Sequence, residues 1–105
     1  MYDMKNMEKL KTITQNAPES MKAFWAFNSA ACADGAIPKK YKELMAIAIA
    51  VTTQCPYCIE IHTADARKAG ATDAEIAEAI VVAMALRAGG ALTHGSHCFH
   101  AASNG

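Results

Sequence analysis

Between Pro38 and Gly70 the chain has no glycine and a single proline, Pro56, and that proline lies inside the tetrapeptide Cys55-Pro56-Tyr57-Cys58. Two long segments without helix breakers are therefore hinged at a pair of cysteines, and any fold must carry that pair at the junction. Upstream, KKYKELMAIAIAVTTQ keeps its charges in the first turns and is then apolar on every side, the pattern of a helix whose second half is buried. Its IAIAV core also alternates as a strand would, but length and alanine content give a helix over 39–54. Downstream, Pro56 follows Cys55 at the start of a helix that runs to Gly70, with Arg67 and Lys68 in the last turn, where cations suit the helix dipole. Cys55 thus stands at or just before a helix N-terminus.

The remainder is also helical in pattern. A first helix is expected around residues 4–15. Met21, Phe24, Trp25, Asn28 and Cys32 at three-and-four spacing mark a second, closed by Gly35, and Pro38 fits the first turn of the next. Thr72 with Glu75 three residues on forms a capping box that opens a helix expected to stop at Gly89-Gly90, and ALTHGSHCFHAASNG reads as a last helical segment that frays. The expected fold is all-α, a compact single domain over 1–105 with about six helices, without repeat, linker or low-complexity stretch.

Composition narrows the function classes. A 52% hydrophobic content in 105 residues is high for so short a chain, and part of that apolar surface is expected to face another subunit. Ten basic and ten acidic residues with no basic run leave no electrostatic footprint for nucleic acid. The N-terminal MYDMKNMEKLKTITQN carries charges where a signal peptide needs an apolar core, and no segment reads as long enough to span a membrane, so a soluble, cytoplasmic chain is expected. In a reducing compartment Cys32, Cys55, Cys58 and Cys98 are more readily reactive, metal-bound or buried than a structural disulfide framework.

Three chemistries compete for the CPYC. It is the glutaredoxin tetrapeptide, but a thioredoxin-type fold needs later strands and a proline facing the dithiol, and no proline follows Pro56. Zinc would take Cys55 and Cys58 as a chelating pair with His62 nearby; a closed site needs four ligands, and no second CxxC supplies them, which leaves Glu43, Cys32 or the tail residues His94, His97, Cys98 and His100 to do so by tertiary contact. The third chemistry is thiol redox. Positions 55, 58 and 62 fall on one helical face, and a helix N-terminus stabilises a thiolate. Glu43 lies ten residues before Thr53 and His62 nine after it, so an antiparallel hairpin at about 1.5 Å per residue brings them level and offers a relay from Glu43 through His62 to the cysteines.

A glutamate, eleven residues, then C-x-x-C-x-x-x-H on consecutive helices of an alanine-rich chain resembles the alkylhydroperoxidase D (AhpD)-like proteins of the carboxymuconolactone decarboxylase superfamily, from about Pro38 to Gly89-Gly90. The resemblance implies a helical fold assembled as homo-trimers or hexamers and a thiol-dependent reduction of hydroperoxides, with a dithiol or redox protein as electron donor. It implies Cys58 as the peroxidatic thiol, Cys55 as proton donor and resolving thiol closing a redox-active disulfide, and Glu43 and His62 as the relay, with no metal and no other cofactor. Where the namesake proteins carry a second relay histidine this chain has Tyr57, whose phenol can still hydrogen-bond at the site.

Two other readings stand beside it. The decarboxylase branch shares the fold without relying on a CxxC and would need an anion site, for which Arg67, Lys68 and Arg87 are the candidates. An oligomeric scaffold would leave the CxxC silent. Cys32 and Cys98 read as packing residues, the tail histidines as part of a terminal helix against a neighbouring subunit, and Met21, Phe24, Trp25 and Phe27 as core, subunit contact or pocket lining.

Overall fold

The computed structural model describes residues 2–99, and His100 lies outside them. A 3-10 helix, Met4–Lys9, leads into α1 (Leu10–Asn16), followed by α2 (Pro18–Cys32), α3 (Lys39–Thr53), α4 (Pro56–Lys68), α5 (Asp73–Gly95) and a closing 3-10 turn, Ser96–Cys98. The described residues form five α-helices, close to the expected number of about six, and contain no strand, so the all-α fold holds and IAIAV is helical.

The chain-level signals at α3, α4 and α5 act as the residues predict. Asp34 Oδ1 accepts from the Lys39 amide at 2.7 Å and caps α3, with Pro38 one position outside the first turn rather than in it. Thr72 Oγ1 accepts from the Glu75 amide at 3.1 Å while Glu75 Oε1 accepts from the Thr72 amide at 2.9 Å, closing the capping box of α5. Both turns are built on left-handed residues. Gly70 (φ 93) ends α4 in a Schellman arrangement, with Gly70 N donating to Arg67 O at 3.0 Å and Ala71 N to Ala66 O at 2.9 Å. Gln54 (φ 56) ends α3, and Cys55 N donates to Ala50 O at 3.1 Å, so the chain reverses immediately before the cysteine pair.

Ala66 and Ala71, the two ends of the Schellman turn, are buried with Ile47 and Ile76, and Leu44, Val51 and Ile80 pack on them. This core lies among α3, α4 and α5. Alanine at the contact lets the helix axes approach closely, which fixes how α4 sits on α3.

Several expectations are corrected. The first helix is 3-10 up to Lys9, where Asp3 caps by accepting from the Lys5 amide at 2.9 Å. Helix α2 stops at Cys32, because Ala33 is extended, before Gly35 is reached. Gly89-Gly90 does not stop α5: a glycine ends a helix by turning left-handed, and no following residue before Gly95 leaves the helix. The uninterrupted segment Asp73–Cys98, 26 residues containing an 18-residue stretch of mean hydropathy 1.6, is consequently long and apolar enough to cross a membrane by length and composition, contrary to the reading that no segment is. Its first half instead walls the core through Ile76, Ile80 and Ala83.

The second half of α3 is not buried all round either. Ile47 and Ala50 face the core, while Met45 and Ile49 are exposed, Ile49 at 63%. Val81, Val82, Met84 and Leu86 on α5 are exposed as well. The radius of gyration is 18.4 Å, against about 13 Å for a compact chain of roughly this length. A single chain therefore leaves long apolar helix faces uncovered.

The two left-handed residues predict opposite stability changes. Gln54→Gly should stabilise the fold by about 1 kcal/mol by relieving side-chain strain at positive φ, and Gly70→Ala should destabilise it by about 1 kcal/mol or more. Urea unfolding of the two variants should show midpoints moving in opposite directions.

Candidate active site

The turn at Gln54 leaves Cys55 as the N-cap of α4, in extended conformation, with Pro56 in the first helical position where its missing N–H costs nothing. Cys55 Sγ accepts from the Cys58 amide at 3.3 Å, the place a serine or threonine oxygen takes in an ordinary cap. The two cysteines are joined as a disulfide with Cα atoms 5.3 Å apart. A sulfur on a helix N-terminus is held where negative charge is favoured.

One turn after Cys58 stands His62, and the arithmetic of the hairpin holds. Glu43 on α3 is level with it, its Oε1 2.6 Å from His62 Nδ1. Glu43 is 1% exposed, the one buried charged residue among those described, rather than the solvated helical charge that its type suggests. With a carboxylate accepting from Nδ1–H, the neutral imidazole keeps Nε2 free as a base. Glu43 Oε2 is held in turn by Lys39 Nζ at 3.2 Å, and this bond raises the Lys39 pKa. Lys39 Nζ also donates to Cys32 O at 3.3 Å, tying the end of α2 to the start of α3.

These groups open into a cleft of about 600 Å³, lined by Cys58, His62, Glu43 and Tyr57 together with Phe24 and Trp25 of α2. Phe24 and Trp25 pack edge to face, centroids 5.0 Å apart. Cys58, not Cys55, contributes to the cleft wall. Among the described residues no hydrogen bond joins His62 to either sulfur; His62 and Cys58 share the cleft.

Tyr57 has acquired a different set of partners. Its hydroxyl accepts from Asn6 Nδ2 at 2.9 Å, and its ring meets Tyr2 edge to face at 5.0 Å. The Tyr2 hydroxyl donates to Glu60 Oε2, and that bond pushes its pKa from 10.0 up to about 12. The N-terminal 3-10 helix is thereby fastened to Tyr57, the residue just before Cys58.

Lys39, Asp34, Asp65 and Cys32 also line the cleft and were not singled out by the sequence for that role. Lys39 is one turn before Glu43 and Asp65 three residues after His62, so helical spacing from the recognised residues finds both. Asn6 carries no such signal. Ligand atoms of Glu43, His62 and Asp65 lie within 4.8 Å of one another, a donor set that a divalent ion would accept, though the Lys39 ammonium competes for the same carboxylate. The tail residues stay apart: His94 and His97 pair their rings at 5.6 Å, neither lines the cleft, and Cys98 is exposed. Met21 and Phe27 do not line it either, and Arg67 is paired with Asp73 at 2.7 Å on the surface.

A family model and a solved structure name the same family. Residues 18–101 match the model of the carboxymuconolactone decarboxylase family. The chain belongs to that family. It is 51% identical over 72 residues to uncharacterized protein 4 in the cox locus of Paracoccus denitrificans, covering 69% of this chain and 65% of that one. It is 38% identical over 68 residues to an uncharacterized protein of Cupriavidus necator, covering 65% and 60%. The match thus spans slightly less than two thirds of the length of these relatives.

Among solved structures, a carboxymuconolactone decarboxylase family protein from Legionella pneumophila superposes with a TM-score of 0.72 at 37% identity, over 86% of this chain and 80% of that one. A protein from Methanobacterium thermoautotrophicum gives 0.78 at 33% identity, over 84% and 99%. The family resemblance carried by Glu43, Cys55, Cys58 and His62 is therefore borne out at the level of family and fold.

The Asn6 bond yields a prediction. In Asn6→Ala, amide hydrogen exchange over residues 4–9 should accelerate while residues 39–68 keep their protection, as loss of one tie to the body requires.

Proposed function

We propose that this chain is an AhpD-like thiol oxidoreductase that reduces hydroperoxides through Cys58 and Cys55. One observation carries the reading: Cys58 opens into the same cleft as an imidazole whose Nδ1 is fixed by a buried carboxylate, while Cys55 sits on a helix N-terminus. A structural disulfide or a silent pair would need neither.

The Cys58 thiolate attacks the terminal oxygen of the peroxide. The O–O bond breaks, Cys58 becomes a sulfenic acid, and the alcohol leaves with a proton supplied through His62. The Cys55 thiolate then attacks the Cys58 sulfur, the S–O bond breaks, and hydroxide leaves as water with a second proton. Two electrons pass from the dithiol to the peroxide, giving alcohol, water and the Cys55–Cys58 disulfide. An external dithiol or redox protein restores the thiols by exchange, and Cys55, favoured as the leaving thiolate, is the sulfur expelled. His62 and Glu43 move and hold the proton; Tyr57, in place of a relay histidine, anchors the N-terminal helix rather than joining the relay. No metal or other cofactor enters the scheme. A reducing cytoplasm suits a cycle that begins from free thiols.

The acting unit is a homo-oligomer, a trimer or hexamer, in which copies of the chain cover one another's α3 and α5 faces. The exposed Ile49, Val82 and Leu86 and the extended shape of the single chain support this.

With tert-butyl hydroperoxide and dihydrolipoamide, Cys58→Ser should abolish turnover and Cys55→Ser should slow it, since the Cys58 sulfenic acid is then resolved only by the external dithiol. Glu43→Gln should slow turnover by about tenfold or more. Unchanged turnover in Cys58→Ser would end the proposal. Light scattering on the eluting protein should give a multiple of the chain mass, and Leu86→Asp should shift it toward the monomer.

A further inference from the structure

The charges of the cleft are unequal. Asp34, Glu43 and Asp65 present three carboxylates to it and Lys39 one ammonium, so the cleft is negative even when His62 carries a proton. Lys39 is spent on Glu43 at 3.2 Å. Asp34 is balanced by an amide, the N–H of Lys39 at 2.7 Å, and Asp65 takes part in no ion pair among the described residues. Phe24 and Trp25, which also line the cleft, offer apolar area and no cation.

From this we infer that the cleft selects uncharged, apolar-bodied hydroperoxides and uncharged dithiols and excludes those bearing a carboxylate. The inference rests on the peroxidase reading for the reaction, but the binding selection stands on the cleft alone. An anionic ligand entering the cleft meets the Asp65 carboxylate, which forms no salt bridge among the described residues, beside Glu43 and His62, while Lys39 is already bound to Glu43. An aromatic or branched alkyl body meets the edge-to-face pair with full contact. The same imbalance argues against a lactone acid as substrate, since Arg67, Lys68 and Arg87 are all absent from the lining.

Trp25 is the chain's one tryptophan, so its fluorescence reports occupancy without turnover. The probes are cumyl alcohol derivatives bearing a para-carboxamide or a para-carboxylate, matched in size and unreactive, and then the corresponding hydroperoxides. The carboxamide should bind at least about tenfold tighter than the carboxylate at low ionic strength, with the gap closing as salt is added. Asp65→Asn combined with Asp34→Asn, the latter retaining a capping side chain, should narrow the ratio.

Equal binding of the two alcohols, or a ratio that neither salt nor the double variant moves, would overturn the inference. If the binding ratio holds while no hydroperoxide is consumed, the charge selection stands and the peroxidase reading fails. If the peroxides turn over with no preference between carboxamide and carboxylate, the reading stands and the selection fails.

Discussion

The buried Glu43 carboxylate is the interaction on which the site depends. A carboxylate at 1% exposure is costly unless charge and hydrogen bonds meet it, and here one oxygen is met by His62 and the other by Lys39. Those two contacts cross-link α3 to α4 and, through Lys39 and the Cys32 carbonyl, to the end of α2. The wall of the cleft and the orientation of its base are therefore fixed by a single side chain. The alanine-lined contact between the helices supplies the close approach, and Glu43 supplies the register.

The hinge between the helices sets the rest. Gln54 in the left-handed region turns the chain within one residue, so Cys55 becomes a helix cap instead of another residue of α3. That turns two chemically identical thiols into unlike ones. Cys55 lies against helix amides, and Cys58 faces the cleft with the histidine one turn beyond. The different surroundings of the two sulfurs follow from backbone geometry alone.

Much of this was legible in the sequence because it is local. The pairing of Glu43 with His62 follows from counting helical rise on both sides of a turn, and the capping box from Thr72 and Glu75 alone. Features that depend on what surrounds a helix were not. Gly89-Gly90 looked like a stop, yet the helix continues because the residues that follow it stay helical. Asn6 and Tyr57 are 51 residues apart with no shared period, so only the fold brings them together. The second half of α3 was expected to be buried, whereas Ile49 lies open on its outer face. Apolar patterning reports that a face is to be covered, not which chain covers it.

The central claim is that peroxide oxidises this one pair. The direct measurement is mass spectrometry of the fully reduced protein after one equivalent of tert-butyl hydroperoxide, with remaining thiols trapped by alkylation. The account predicts a Cys55–Cys58 disulfide, formed in step with peroxide loss, with Cys32 and Cys98 alkylated. Peroxide left unconsumed, or a disulfide that draws in Cys32 or Cys98 while Cys55 and Cys58 are both alkylated, would contradict it.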